Sequence, residues 1–480
     1  LRKPDAGFSP NRHGWRECGK RRSSFSASAL SAVLFDELRL PSAVHLKVAY
    51  SGGLDSHVLL HALAVLRADH RFSLSAIHID HDLQPASAEW GRHCARICAD
   101  LDVHYVVKRV RVSGVADEGM EAAARRARYV ALAAALQPDD VLLTAHHGDD
   151  QAETVLLQLL RGTGIAGLAA MPRRNVFGPG QIARPLLDFS RAALHAYAQE
   201  HRLAWIEDPT NRESHLRRSF LRTEILPRLA RHWPAHARLL ARTAGHAAEA
   251  KELLDEVAVT DLAACRHAAT HCPQALSINA LAALSTARQR NLLRYWLRQQ
   301  GFLAPAASQL EEVLAQVQTT PRSQQARVCW PDTEVWRYRD LLVAMPAQHS
   351  PDPAQDVVWD PRAPLDLPGI GRLRAVPIRG QGLSCARLHG RSLHIRMRTG
   401  GETLLLPGRG HHHVLKKLLQ AEAVPPWLRA CLPLFYVDHE LAAVADRWVC
   451  APFLAGDGEE GLKIVWEPLV SMTAVLEKAR

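Results

Sequence analysis

Residues 44–210 alternate short β-like apolar runs with amphipathic stretches of helical length, and no other pattern in the chain restricts its fold so tightly. The runs lie at 45–50, 74–79, 103–108, 141–145 and 182–186, with another near 204–206; helical stretches such as 121–136 and 149–161 lie between them. Such alternation builds a parallel sheet covered by helices on both faces. Right-handed crossovers then gather the ligand-binding loops at the carboxyl ends of the strands. Residues 211–345 lose the strand signal and read as helices near 234–259, 277–299 and 307–318, with a β-like stretch at 326–344. Residues 346–365 carry five prolines and read as a linker. Short strands then return, with a helix expected at 412–421 and strand pairs around 433–450. The expected fold class is α/β: a parallel-sheet domain over 44–232, a mainly helical middle domain over 233–345, and a small α+β domain over 366–480.

At 480 residues the chain is too long for one ordinary domain. It holds no run of about 18 uninterrupted apolar residues, so no membrane partner is expected. Nine scattered cysteines without a CxxC pair fit a reducing cytoplasm rather than a disulfide scaffold or a zinc ribbon. Cys94 and Cys98 are expected to share a helix face by coincidence. The net charge of +10 favours a polyanionic partner. Residues 1–28 are Arg- and Ser-rich, with only Asp5 and Glu17 acidic, and residues 1–43 read as an extension disordered in part.

Three polar groups fall at predicted strand ends. The first is Ser51-Gly52-Gly53-Leu54-Asp55-Ser56, between the run HLKVA and an apolar helical pattern. Two glycines let backbone approach a ligand, two serines add hydroxyls, and the following helix aims free N–H groups at the same point. This is a loop for phosphate oxygens, although it lacks both the Gly-Lys-Ser/Thr of a Walker loop and the spaced glycines of a dinucleotide fold. Asp55 beside phosphate calls for a cation such as Mg²⁺. The second group is His78-Ile79-Asp80-His81-Asp82; the third runs from His146 to Thr154. Either could also hold a metal, since His and Asp cluster there. Asp149 or Asp150 suits a helix N-terminus, and Asp150 and Glu153 share a helix face, a pairing suited to Mg²⁺, a substrate ammonium or general-base work. Glu121, Arg125 and Arg128 share another face, which spacing alone reads as a surface ion-pair ladder.

SGGLDS at such a junction resembles the pyrophosphate loop of the N-type ATP pyrophosphatases, or PP-loop enzymes. The stretches AIHIDHDLQPASAEW, EAAARRARY, TAHHGDDQAETVLLQLLRGTGIAGLAAM, RPLLDFSRAALHAYAQEHRLAWIEDPTN and FLRTEILPRL are similar to the tRNA(Ile)-lysidine synthetase family, as is residues 401–448. Two departures stand out. Ser219 takes the place of the family's usual Asn before Phe-Leu-Arg, and Asp82 that of the glycine after the second strand.

The resemblance implies an enzyme using ATP and Mg²⁺, with L-lysine and the tRNA(Ile) of anticodon CAU as partners. It implies adenylation of the 2-oxo group of the wobble cytidine, then displacement of AMP by lysine. Ser51, Gly52, Gly53, Leu54 and Ser56 would hold pyrophosphate, with Asp55 linked through Mg²⁺. His78 and Asp80 would lie near the adenosine. Arg125 would stabilise the α-phosphate, and Asp150 and Glu153 would orient lysine or accept its proton. Eight arginines between Arg212 and Arg242, and ten Lys/Arg between Gly371 and Lys417, are expected to contact tRNA phosphates. Trp427 is read as core rather than a base-stacking platform, and His411–His413 as a solvated helix start. The competing readings are another PP-loop adenylating ligase or tRNA-modifying enzyme, and a catalytically inactive tRNA-binding relative. The sequence leaves the oligomeric state open, a homodimer included.

Overall fold

The computed structural model describes residues 24–81, 87–114, 119–207, 217–266, 274–319, 326–347, 356–422 and 424–468, without the side chains of 88, 121, 217 and 317–319. Asp82 and residues 1–23 lie outside this set, as does the side chain of Glu121. The chain divides after Leu253 into two compact units.

In the first unit six strands form one sheet: β1 His45–Ala49, β2 Ser73–Asp80, β3 His104–Arg109, β4 Val141–Leu143, β5 Arg174–Phe177 and β6 Gly180–Ala183. Their order is β3-β2-β1-β4-β6-β5, parallel except for β5, which runs antiparallel to β6. The strand order reverses between β1 and β4, which pair directly (Leu46 with Val141, Val48 with Leu143). A crevice opens at the carboxyl ends of strands at such a switch point. The loops after β2, β1 and β4, which carry the three polar groups, therefore lie side by side.

The helices of this unit are α1 Ala27–Ser31, α2 Leu54–Leu66, α3 Ser87–Asp100, α4 Met120–Ala134, α5 Gly148–Leu160, α6 Ile165–Leu168, α7 Arg191–Glu200, α8 Arg217–Phe220 and α9 Leu226–His232, with α10 His236–Cys265 running across the division. Helix α2 is buried nearly all round, from Leu54 to Leu66. One side lies on the sheet, and the others meet α1 and α7. Residues 24–43 therefore belong to the core rather than to an extension: Phe25, Leu30, Val33 and Leu34 are buried, and Ser26 caps α1. Phe25 packs edge-on against Phe189 and Tyr197, each at 5.0 Å. Phe25→Ala is expected to cost about 3 kcal/mol of stability, measured as a fall in the urea midpoint at unchanged slope.

Two expectations fail locally. Residues 204–206 form no strand, because the Ile206 N–H donates to the Gly52 carbonyl at 3.0 Å instead of to a ladder. The strand expected at 182–186 ends at Ala183, and the Arg184 N–H turns to the Arg173 carbonyl. Cys94 and Cys98 are both buried on α3 as core residues.

In the second unit, helices Ile278–Ala282, Thr286–Gln299 and Ala307–Thr319 accompany a four-stranded antiparallel sheet built from 276–277, 326–330, 333–338 and 341–345. The β-like stretch at 326–344 is thus three strands. Beyond it lie a five-stranded and a four-stranded antiparallel sheet. Asp356–Val358, within the presumed linker, pairs with Leu393–Arg396, and Trp359 is buried, so this part of the stretch is anchored by its apolar residues. The helix expected at 412–421 begins only at Leu415; His412–Val414 pairs instead with Thr403–Leu405. Trp427 is core, packed against Trp336 and Tyr338. Among the described residues no helix is long and apolar enough to cross a membrane.

Candidate active site

The loop after β1 is set by one residue. Gly52 has φ +82°, and a Cβ there would lie 2.7 Å from Ile206 Cδ1 and 2.8 Å from Cys94 Sγ. Only glycine takes that conformation without strain, and only glycine fits. The serines then brace the turn. Their hydroxyls lie 3.0 Å apart, Ser56 donates to the Gly53 carbonyl at 3.0 Å, and the Ser51 N–H donates to Ser56 Oγ at 3.3 Å. Ser56 and Leu54 are buried, whereas Ser51 is exposed. Gly53 is the N-cap of α2, so the first-turn amides of Leu54, Asp55 and Ser56 have no partners within the helix and present a positive end to an anion. Gly52→Ala should lower turnover of ATP at least about tenfold, since the strain alone costs about 1–3 kcal/mol; ATP-dependent pyrophosphate release measures it.

The loop after β4 supplies the acidic side. His147 caps α5 through a reciprocal box: the Asp149 N–H donates to His147 Nδ1 at 3.2 Å, and the His147 N–H donates to Asp150 Oδ2 at 3.0 Å. The same imidazole reaches across the switch point. Its Nε2 lies 3.7 Å from Asp55 Oδ2 and 3.4 Å from Asp150 Oδ2. Burial disfavours the imidazolium, but Asp150, Asp149 and Asp55 outweigh it and raise the His147 pKa. Burial likewise opposes the Asp150 carboxylate, yet His147, His146 and the His147 amide hold that carboxyl below its ordinary range. Asp55 behaves oppositely. Burial lifts its carboxyl above the usual range; His147 opposes the rise and the Asp150 charge adds to it. Asp55 Oδ1 is buried and accepts no hydrogen bond among the described residues.

Glu153, one turn further along α5, is 1 % exposed. Arg222 donates to its Oε1 at 2.7 Å and to its Oε2 at 3.0 Å, and Arg218 donates to Oε2 at 3.1 Å. Arg222 also donates to Asp150 Oδ1 at 3.1 Å, and Arg218 to the Thr154 hydroxyl at 3.0 Å. Both Glu153 oxygens thus accept from guanidinium donors, and Asp150, the other residue expected to orient lysine or take its proton, also accepts from Arg222. The same pairs engage Arg218 and Arg222 with carboxylates, within the stretch expected to contact tRNA phosphates. A π-helical segment, Leu221–Ile225, joins α8 to α9 and includes Arg222; the Leu226 N–H donates to the Leu221 carbonyl there, next to Pro227, which has no N–H. Ser219 is buried in α8, and its carbonyl accepts from the Thr223 hydroxyl at 3.0 Å.

The remaining predicted residues surround this centre. His78, at the end of β2, is buried and donates from Nδ1 to the Tyr50 carbonyl at 2.9 Å, tying the second polar group to the first. Asp80 is buried with Arg109 at 3.6 Å. The ion-pair ladder expected with Glu121 lies outside the described residues; Arg125 is exposed on α4, its guanidinium 4.9 Å from the centre of the Tyr129 ring. It contributes to the field at His146. Burial, together with the charges of Arg184, Arg125 and Arg218, pushes that imidazole down to about 3, against Asp150. His146 is thus neutral at physiological pH.

Sequence reasoning missed His147, Arg218 and Arg222 as site residues. His147 stood inside a quoted motif; the arginines lie 65 and 69 residues from Glu153, with no local signal of the pairing. Among the described residues, which leave out Asp82 of the second group, no cluster of three or more His, Cys, Asp or Glu is arranged for a metal. In the basic stretch 371–417, Arg372, Arg374, Arg391, Arg396 and Arg398 are paired with carboxylates. Arg379, Arg409, Lys416 and Lys417 are exposed.

Three family models match the chain: a PP-loop domain over residues 28–229, a TilS substrate binding domain over 276–343 and a TilS substrate C-terminal domain over 393–466. The tRNA(Ile)-lysidine synthase of Methylococcus capsulatus is 41% identical, the match covering 88% of this chain and 96% of the relative. That of Alkalilimnicola ehrlichii is 43% identical over 86% and 91%, and that of Pseudomonas aeruginosa 42% identical over 88% and 93%. A solved U34-tRNA thiolase from Methanococcus maripaludis aligns with 46% of this chain and 77% of its own at 17% identity and a TM-score of 0.39, too loosely to add to these matches. With a switch-point phosphate loop, an acidic centre across from it, and relatives alike along nearly their whole length, this chain belongs to the tRNA(Ile)-lysidine synthase family.

Proposed function

We propose that this chain ligates L-lysine to carbon 2 of the wobble cytidine of tRNA(Ile) with anticodon CAU, forming lysidine and releasing AMP and pyrophosphate from ATP. The observation that carries the reading is His147, which bridges Asp55 of the phosphate loop to Asp150 of the acidic centre. Two half-sites, one for a phosphate chain and one for an amine, meet at a single imidazole.

In the first step the cytosine 2-oxo oxygen attacks the α-phosphorus of ATP, and the bond to pyrophosphate breaks. Ser51 and the first-turn amides of α2 receive the departing phosphates. Arg125 stabilises charge at the α-phosphate, and His78 and Asp80 border the adenosine. Asp55 fits a Mg²⁺ ion, since its Oδ1 is buried without a hydrogen-bond partner and Mg²⁺ is held by one or two carboxylates plus substrate phosphates. When bound, the ion would neutralise phosphate charge.

In the second step the lysine amine attacks carbon 2, and the C–O bond to AMP breaks. Adenylation has made that oxygen part of a phosphate ester, a far better leaving group than the parent oxo group. Asp150, kept anionic, orients the amine. As the C–N bond forms the nitrogen becomes strongly acidic, so even a weakly basic carboxylate can take its proton. Glu153 is a positioning residue that fixes Arg218 and Arg222, and through Arg222 fixes Asp150.

The test is incubation with ATP, labelled lysine and tRNA carrying cytidine or uridine at the wobble position. Lysine should enter only the cytidine form. Incorporation independent of that base would overturn the reading. ATP–pyrophosphate exchange without RNA would point to a small-molecule acceptor, and tRNA binding without ATP consumption to an inactive relative.

A further inference from the structure

The turn between α9 and α10 holds an indole in water. Trp233 is 58% exposed, yet its backbone is tightly fixed. Its N–H donates to the Leu229 carbonyl at 2.7 Å, and its own carbonyl accepts from the His236 N–H at 2.8 Å and from His236 Nδ1 at 3.2 Å. Pro234 follows and disfavours helical backbone at Trp233, which lies at φ −128° and ψ 80°. The ring of His232 lies 5.9 Å away, tilted by 59°. A large aromatic presented to solvent on a fixed backbone forgoes its burial energy, so its use lies in what it meets.

Charge identifies the occupant. No acidic residue occurs between Glu224 and Glu249, whereas Arg228, Arg231, Arg238 and Arg242 and three histidines do. Arg228 pairs with Glu224. Arg231, Arg238 and Arg242 are exposed, and Arg238 and Arg242 lie one helical turn apart on the same face. An exposed indole on a hydrogen-bonded backbone, among guanidinium groups with no carboxylate partner among the described residues, matches a strand of unpaired nucleotides, whose bases stack while their phosphates are neutralised. The platform is also coupled to the active centre. It ends the helix that carries Arg222, which is bound to Glu153 and Asp150; eleven residues at the helical rise span about 16 Å, a few nucleotides of extended RNA.

We infer that Trp233 is a stacking platform for an unpaired nucleotide of the RNA substrate near the modified base, with Arg231, Arg238 and Arg242 holding adjacent phosphates; this rests on the RNA-ligase reading above. It is a positioning residue that sets where the anticodon loop lies.

The test uses the full chain and a synthetic anticodon stem-loop hairpin with cytidine at the wobble position. Trp233→Ala should weaken hairpin binding about 10- to 100-fold, and Trp233→Phe should recover most of the loss. The effect should fall on the RNA Kd and KM rather than on kcat. Replacing Arg231, Arg238 and Arg242 together by Gln should reduce the magnitude of the log–log salt slope by about 2. Binding by Trp233→Ala within twofold of wild type overturns the inference. So does a change in sedimentation without a change in RNA affinity, which would make the surface a protein contact. If wild type binds no RNA at all, the RNA-ligase reading itself has failed, and that outcome is distinct from the others.

Discussion

Asp55→Ala is expected to slow pyrophosphate release from ATP about a thousandfold while leaving the thermal midpoint unchanged or slightly raised. The two effects part because of what Asp55 lacks. Among the described residues its Oδ1 is buried without a hydrogen-bond donor, burial and the nearby Asp150 both disfavour its charge, and beyond the fields of Arg191 and Arg222 its nearest basic group is the His147 imidazole at 3.7 Å. Removing such a carboxylate relieves repulsion with Asp150 and leaves no guanidinium orphaned. The same carboxylate is the group placed to meet a cation beside the phosphates, so activity bears the whole loss. A calorimetric scan and a pyrophosphate-release assay on one preparation measure both quantities. Near-normal turnover, or a midpoint many degrees lower, would remove Asp55 from this role.

Glu153→Ala should abolish lysine incorporation too, but with the opposite stability signature: a loss of about 2 kcal/mol. Breaking a buried ion pair costs about 3–5 kcal/mol. The figure here is smaller because Arg218 and Arg222 are 26% and 33% exposed and can turn toward water. Glu153→Gln keeps the shape and loses the charge, so it should fall between wild type and the alanine variant in both measurements. If Glu153 instead received the lysine proton, the Gln variant would be as inactive as the alanine variant while losing less stability. Urea unfolding beside lysine incorporation separates the cases.

Much of the first unit was legible because its determinants are local. The turn HLKVAYSGGLDS places apolar residues, then glycines, then a helix start within a dozen positions, and the structure needs glycine at Gly52 for reasons of φ and space. Parallel topology then required the loops after β1 and β4 to meet. Four features escaped for physical reasons. The Glu153–Arg222 pair joins segments 69 residues apart, and side-chain pairing at that separation leaves no periodic trace. Ala204–Ile206 carries strand-like residues, but its amide is used by the Gly52 carbonyl. Residues 25–34 did carry a signal, apolar positions at helical spacing behind the N-cap Ser26, masked by the Arg- and Ser-rich stretch before them. His412–Val414 reads as a helix start in isolation; pairing with Thr403–Leu405 makes it a strand.

The central claim is that one site first adenylates RNA and then lets lysine displace AMP. The most direct measurement supplies ATP labelled at the α-phosphorus with cytidine-wobble tRNA and no lysine. The account predicts label transferred to the tRNA, then released as AMP when lysine is added, with one lysine gained for each AMP lost. Label that never enters RNA, or that appears on lysine instead, would contradict it.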